Sequence, residues 1–202
     1  MKKITFIKSV VFLVCLVPLG LIVLDGFQNN LTADPIEEIL HRTGIWTLRV
    51  LLITLAMTPL KIMTGSATFI RIRRMLGLYT FFYASLHLLV YAWLDLGLDF
   101  GHLWEDIIDR PYITVGMLAW FLMLPMAITS NRAMIRKLGK YWKRLHQTIY
   151  LVIGLGCLHF LWLVKSDITE PLIYTGIGLS LLLFRVAHHY HGQRNRIKGS
   201  VK

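Results

Sequence analysis

Two histidines, His87 and His159, lie deep inside separate uncharged stretches that are apolar enough to span a membrane. At about 1.5 Å per helical residue, His87 lies roughly 18 Å beyond Met75, the first uncharged residue after an arginine cluster. On the same rise His159 lies roughly 21 Å beyond Leu145, the residue that follows Arg144. An ionisable side chain is costly at that depth and is usually retained for function. Because neutral imidazole is a common ligand of haem iron, the sequence predicts a haem ligand pair.

A haem with two axial imidazoles has no open coordination position, which favours electron transfer over oxygen chemistry. The alternative for each histidine is a buried imidazole that is hydrogen-bonded to a neighbouring helix. Two histidines at matched depth on helices that run in the same direction favour the ligand pair, since few other polar groups lie in these stretches. We therefore predict that His87 and His159 bind haem iron.

His146 is a third candidate ligand, at the start of the stretch that contains His159. The two histidines would lie about 20 Å apart along one helix, which suits two haems stacked across a membrane. On one ideal helix they would also lie some 140° apart in rotation, and Arg74 occupies the position where a matching histidine would precede His87. The number of haems, one or two, therefore stays open. We expect the remaining histidines to be solvated or interfacial: His41, His102, His188, His189 and His191.

The composition predicts an all-α integral membrane protein. The chain has 202 residues, of which 55% are hydrophobic, and its mean hydropathy is +0.58. We predict one domain over residues 1–202, a six-transmembrane-helix haem-binding bundle. Its helices are predicted at about 9–26, 43–60, 75–94, 111–130, 145–164 and 171–188. The segments between them are too short for a soluble catalytic domain, and no nucleotide-binding or nucleic-acid-binding motif is present.

Charge predicts the orientation, because 18 of the 22 Lys and Arg residues lie on one side of a six-span chain. The positive-inside rule then places both termini in the cytoplasm. All 11 acidic residues lie on the outer side, where they favour either a basic partner or a solvated acidic rim. The basic side is explained by orientation and by anionic lipid. Arg49, well inside a span, is expected to reach outward to the interface or to meet a haem propionate.

Several longer motifs resemble one known family. These are Arg73-Arg74-Met-Leu-Gly77-Leu-Tyr, Ser85-Leu-His87, Arg136-Lys-Leu-Gly139-Lys-Tyr-Trp142-Lys-Arg-Leu-His146 and His159-Phe-Leu-Trp162. They resemble the MsrQ family, haem-binding membrane subunits of a bacterial methionine sulfoxide reductase system within the ferric-reductase-like transmembrane superfamily. The resemblance covers nearly the whole chain.

The resemblance implies an electron-transfer subunit of the bacterial inner membrane that reduces no substrate by itself. Electrons would come from the quinone pool or a cytosolic flavin reductase and pass to MsrP, a periplasmic molybdenum enzyme that reduces methionine sulfoxide in proteins. The family's haem-associated histidines map to His87, His146 and His159. The implied cofactors are haem b and FMN, although no FMN motif is readable in the sequence.

Two other functions stay open at this stage. A stand-alone ferric or cupric reductase would use the same haem site on small substrates at the outer face. A transporter with a histidine relay would need further polar groups along its path, yet no Asp or Glu lies inside a predicted span.

Overall fold

The computed structural model describes residues 2–200, with side chains for all of them except 2, 100, 102, 189 and 191–200. The side chains of His102, His189 and His191 therefore lie outside the described residues. The described chain folds into nine α-helices and one π-helical turn at Tyr91–Asp95, which continues α3. The α-helices are α1 Lys2–Phe27, α2 Pro35–Thr64, α3 Thr68–Val90, α4 Phe100–Asp109, α5 Pro111–Ile128, α6 Arg132–Leu138, α7 Lys140–Gln147, α8 Ile149–Leu163 and α9 Thr169–Ser200.

Within the described residues, six helical segments are long and apolar enough to cross a membrane. They are Lys3–Phe27, Pro35–Thr64, Thr68–Asp95, Pro111–Ile128, Lys140–Leu163 and Thr169–His188. Helices suit this setting because each satisfies its own backbone polar groups where no water is present. The predicted all-α architecture with six spans is confirmed.

The second span begins earlier than predicted, because its capping signals lie well before the apolar stretch. The Asp34 side chain accepts a hydrogen bond from the Glu37 backbone N–H, and Pro35 occupies the first turn. The turns that begin at Pro35 are therefore continuous with the rest of α2. At its other end α2 stops at Gly65, whose φ of 72° lies in the left-handed region that glycine adopts readily.

The fifth span is interrupted at Thr148, which separates α7 from α8. The Thr148 hydroxyl donates to the Leu145 carbonyl at 2.7 Å. His146 and His159 therefore lie on either side of a one-residue turn within the fifth span, and Thr148 itself keeps right-handed helical backbone angles. A sharper break precedes α7 at Gly139, whose φ of 49° also lies in the left-handed region.

Two apolar clusters hold the bundle together, and α2 and α3 contribute to both. One lies between α2, α3, α5 and α8, with α9 packed against it: Ile45, Leu48, Leu51, Leu52, Leu55, Ala84, Ala119, Met123, Met126, Val152, Ile153, Cys157 and Phe160. The other lies between α1, α2 and α3: Cys15, Val50, Met57, Ile72, Leu76, Tyr79 and Tyr83. Many apolar side chains on α1 and α9 are exposed, as expected of helices that face lipid.

Connections between successive spans alternate between two ends of the bundle. The acidic end comprises residues 25–42, 95–110 and 164–170, and the basic end comprises residues 61–74 and 129–144 together with α9 from Arg185 onward. At the acidic end Arg42 pairs with Asp25 at 2.7 Å and with Glu38 at 3.2 Å. These contacts join the end of α1 to the beginning of α2.

A proline in α2 leaves one backbone carbonyl free to accept a hydrogen bond from α9. Pro59 has no backbone N–H, so the carbonyl of Leu55 lacks its helical partner. The Arg185 guanidinium of α9 donates to that carbonyl at 2.6 Å and to the Tyr150 hydroxyl at 3.1 Å. Arg185 thereby joins α2, α8 and α9.

We expect Tyr83→Phe to destabilise the packing of α1. The fully buried Tyr83 hydroxyl donates to the Cys15 carbonyl at 2.7 Å, and loss of such a bond costs about 1 kcal/mol. Thermal unfolding in detergent should show a lower midpoint than for the wild type. Tyr141→Phe is the control, because that side chain is 57% exposed; equal midpoints for the two variants would contradict the assigned contact.

Candidate haem site and a second, basic cavity

A cavity of about 490 Å³ lies between α2, α3, α5 and α8 and opens at the acidic end. Its deep walls are apolar, with side chains such as Leu48, Leu51 and Met123. Its mouth carries both charge signs: Glu37, His41, Asp95, Arg110 and Lys165. Its volume is in the range of cavities that hold a cofactor, and we call it the haem cavity.

The structure brings His87 of α3 and His159 of α8 together in the haem cavity. Their ring centroids lie 6.1 Å apart, and the ring planes meet at 83°. A metal–imidazole bond is about 2 Å long, and the ring centroid lies about 1 Å behind the bonding nitrogen. Two imidazoles on opposite sides of one iron would therefore have centroids about 6 Å apart, so the observed separation fits an iron between the rings.

Backbone carbonyls fix the tautomer of both imidazoles. The Nδ1 of His87 lies 3.0 Å from the Leu40 carbonyl of α2, and the Nδ1 of His159 lies 2.6 Å from the Tyr112 carbonyl of α5. Because a carbonyl can only accept, each Nδ1 carries the proton, and each Nε2 keeps its lone pair for a metal. Metal-binding histidines commonly use the second nitrogen in this way.

The two histidines are held by equivalent arrangements. In each case the residue that supplies the carbonyl precedes the histidine by 47 residues. The interval from Leu40 to Tyr112 therefore equals the interval from His87 to His159. Helices α2 and α3 therefore hold His87 in the same way as helices α5 and α8 hold His159. Sequence reasoning identified the histidines but missed both carbonyls, because no local pattern in the sequence marks them.

These residues fit a haem better than a bare metal ion. Among the described side chains, no three His, Cys, Asp or Glu residues converge on one point. A metal between the rings would therefore take two protein ligands, and a planar tetradentate group such as a porphyrin would supply the other four. Arg110 and Lys165 at the mouth could meet its carboxylates.

Arg49 has partners outside the haem cavity. Its Nε donates to the Tyr174 hydroxyl at 2.7 Å, and its guanidinium lies 3.9 Å from the Glu170 carboxylate. It also lies over the Trp46 ring, 5.1 Å from the centroid. Arg49 therefore packs against α9, as the outward-reaching interpretation predicts, and does not line the haem cavity.

A second cavity, of about 430 Å³, lies at the basic end, and we call it the basic cavity. Its lining includes four cationic side chains and no carboxylate: Arg73, Arg74, Lys143 and Arg185. The Nε of Arg185 is buried without a hydrogen-bond partner. An unpaired donor in a cavity lined by cations indicates a site for an anionic group.

His146 lines the basic cavity and lies away from the His87 and His159 pair. Its Nδ1 lies 3.1 Å from the Trp142 carbonyl, and its Nε2 lies 3.4 Å from the Ser130 hydroxyl. Its ring stacks on the Trp142 indole with centroids 3.8 Å apart. In the described part of this cavity no second histidine faces it, so the residues present do not form a second bis-imidazole site.

The two cavities adjoin each other. Leu51 and Met123 line both. Trp120 lines the haem cavity and Phe81 lines the basic cavity. Their rings stack, with centroids 5.7 Å apart. Redox groups in the two cavities would be separated by only one layer of side chains.

Comparisons with known proteins give a matching family and several similar proteins. A family described as "Ferric reductase like transmembrane component" matches residues 43–157. A protein of Xanthomonas campestris pv. campestris (strain B100) is 54% identical over 174 residues, which are 86% of this chain and 80% of that protein. One of Xanthomonas euvesicatoria pv. vesicatoria is 50% identical over 96% of this chain and 92% of its own length. One of Polaromonas naphthalenivorans is 41% identical over 96% and 90%. Each is named "Protein-methionine-sulfoxide reductase heme-binding subunit MsrQ".

We expect His87→Ala and His159→Ala each to abolish the low-spin haem signal, because one remaining imidazole cannot complete the axial pair. The measurements are haem per purified chain and the reduced-minus-oxidised spectrum. His41→Ala is the matched control, since His41 lines the mouth of the same cavity and is not one of the two proposed ligands. A wild-type spectrum in the His87 and His159 double variant would refute the assignment.

Proposed function

The chain belongs to the ferric reductase like transmembrane family and, within it, to the MsrQ haem-binding subunits, and from this premise we propose that it is the electron-transfer membrane subunit of a methionine sulfoxide reductase system. It passes electrons across the bacterial inner membrane to a periplasmic partner that repairs oxidised methionines in proteins. The observation that carries this proposal is the imidazole pair of His87 and His159, whose ring centroids lie 6.1 Å apart and whose Nδ1 atoms both contact backbone carbonyls.

His87 and His159 would hold one haem b in the haem cavity. When bound, it would supply a one-electron carrier there. The protein's own residues supply the rest of the site: the carbonyls of Leu40 and Tyr112 orient the ligands, and apolar walls exclude water. Because the sequence has no Cys-x-x-Cys-His motif, the haem is held without covalent attachment.

Both termini lie in the cytoplasm, as the distribution of Lys and Arg predicts. The acidic end then faces the periplasm, and the haem cavity opens toward the electron acceptor. The acceptor is a molybdenum-containing reductase of the MsrP type. It docks at the acidic end through a basic surface, since complementary charge steers encounter between electron-transfer partners. Glu37 and Asp95 lie at the cavity mouth, where such a partner would be closest to the haem.

The basic cavity holds FMN on the cytoplasmic side. Arginine forks match a phosphate group, and Arg73 and Arg185 line this cavity beside the stacked Trp142 and His146 rings. A flavin here would lie next to the haem cavity, since Leu51 and Met123 line both cavities. The donor, a membrane quinol or a cytosolic flavin reductase, delivers its electrons at this end.

Arg73→Gln should lower the flavin content of the purified protein, because the variant loses a charged donor to the phosphate. A charge-assisted hydrogen bond contributes about 1.5–3 kcal/mol, which corresponds to roughly 10- to 100-fold in affinity. Haem content should stay unchanged. Arg71→Gln is the control, because Arg71 lies on the same helix, is exposed and does not line the basic cavity.

The alternative occupant of the basic cavity is a second haem that uses His146. Haem per chain distinguishes the two. On our proposal, His146→Ala keeps one haem per chain, whereas a fall from two haems to one would contradict the FMN assignment.

The double variant Glu37→Lys, Asp95→Lys should slow electron transfer to the periplasmic reductase by about tenfold at low salt, because it reverses charge at the docking surface. The difference should shrink as ionic strength rises. Stopped-flow oxidation of the reduced haem by the partner measures both effects. Ala67→Lys adds positive charge at the basic end and should leave the rate unchanged. Rates that are insensitive to salt and to both changes would exclude docking at the acidic end.

A further inference from the structure

We propose that Gly44 and Gly116 are positioning residues for the two haem ligands. Because each glycine has no side chain, the edge of an imidazole ring can lie directly against the helix backbone. The ring's Nδ1–H then reaches the carbonyl that lies one helical turn before the glycine. This inference rests on the proposed haem site and adds to it the residues that set the orientation of the ligands.

The contact at Gly116 is the tighter of the two. A β-carbon placed on Gly116 of α5 would lie 2.8 Å from the Nδ1 and 2.9 Å from the Cε1 of His159. These distances are shorter than van der Waals contact, and the atoms belong to a rigid ring. The same Nδ1 lies 2.6 Å from the Tyr112 carbonyl, four residues before Gly116. A methyl group here would push the ring away from the carbonyl that orients it.

Gly44 of α2 stands in the same relation to His87. A β-carbon there would lie 3.2 Å from the Cε1 and 3.4 Å from the Nδ1 of the ring. The carbonyl that accepts from this Nδ1 belongs to Leu40, again four residues before the glycine. The approach is less close than at Gly116, and the Thr43 hydroxyl, 3.3 Å from Nδ1, offers this ring a second polar contact.

General helix packing does not account for these two glycines. For both, the three atoms nearest to the added β-carbon all belong to the histidine ring. By contrast, a β-carbon on Gly178 would meet only aliphatic atoms of Ile153 and Leu52, and one on Gly154 would meet nothing within 4 Å. Of the glycines with such contacts described, only these two place a ring edge against their backbone.

The close approach has a chemical consequence. A hydrogen bond from Nδ1–H to a carbonyl increases the electron density at Nε2 and makes the imidazole a stronger ligand for ferric iron. If the ring is displaced and the bond is weakened, the ferric form loses stabilisation relative to the ferrous form. The midpoint potential of the haem should therefore rise. A glycine that never touches the cofactor would thus help to set its potential.

The test compares Gly116→Ala and Gly44→Ala with two control glycines. Gly154→Ala lies on α8, the helix of His159, and Gly20→Ala lies on α1; neither added methyl group has an atom within 4 Å. Haem per chain, the low-spin spectrum and the midpoint potential are measured on each purified variant. We expect a severalfold loss of haem or an upward shift in potential for Gly116→Ala, a smaller effect for Gly44→Ala, and wild-type values for both controls.

The result that would overturn the inference is a Gly116→Ala protein with wild-type haem content, spectrum and potential. The histidine variants separate this outcome from failure of the proposed function. If His87→Ala and His159→Ala lose haem while the glycine variants match their controls, only the positioning role is wrong. If the histidine variants keep haem, the haem site itself is wrong.

A further variant covers the case in which Gly116→Ala does not accumulate as folded protein. The double variant Gly116→Ala, His159→Ala removes the ring that the methyl group would strike. It should accumulate to the level of His159→Ala alone, as measured by size-exclusion chromatography of the detergent-solubilised protein. If the double variant also fails to accumulate, Gly116 serves helix packing and the inference is refuted.

Discussion

The hydrogen bond from each buried imidazole to a backbone carbonyl is the interaction on which the haem cavity depends. In an apolar interior a polar nitrogen without a partner is costly, so the Nδ1 atoms of His87 and His159 must be satisfied by the protein. Leu40 and Tyr112 provide acceptors near the beginnings of α2 and α5, at 3.0 Å and 2.6 Å. With one nitrogen satisfied, the other has no hydrogen-bond partner among the described residues, and both histidines line the cavity. The same hydrogen bond thus removes the cost of burying Nδ1 and leaves Nε2 available to bind a metal.

Much of the fold followed from the sequence because hydropathy, charge and helix length act locally. The six spans were predicted correctly on this basis, and the matched depth of His87 and His159 corresponds to the ring contact in the structure. Capping and interruptions were harder to predict. The apolar stretch alone did not reveal that α2 extends from Asp34 without a break, nor that Thr148 divides the fifth span.

The parts of the site that sequence reasoning missed are those that depend on contacts between helices. No local pattern distinguishes the carbonyl of Tyr112 from that of any other residue, and only the helix pairing brings it to His159. Arg49 illustrates the same limit. Its position left two interpretations open, and the Tyr174 hydroxyl and Glu170 carboxylate of a distant helix favour one of them. In the structure His146 lines the basic cavity. The described side chains around it supply positive charge and no second imidazole, so they favour an anionic group.

The contact between Arg185 and the Leu55 carbonyl bears on the order in which the two cavities are completed during synthesis. Every residue that lines the haem cavity precedes α9, the last of them being Ser166. The basic cavity in contrast includes Arg185, which lies near the end of the membrane-spanning part of α9, Thr169–His188. A growing chain therefore contains the whole haem cavity before its final span has entered the membrane. The basic cavity gains its last wall only when α9 inserts and Arg185 reaches the carbonyl that Pro59 leaves without a partner.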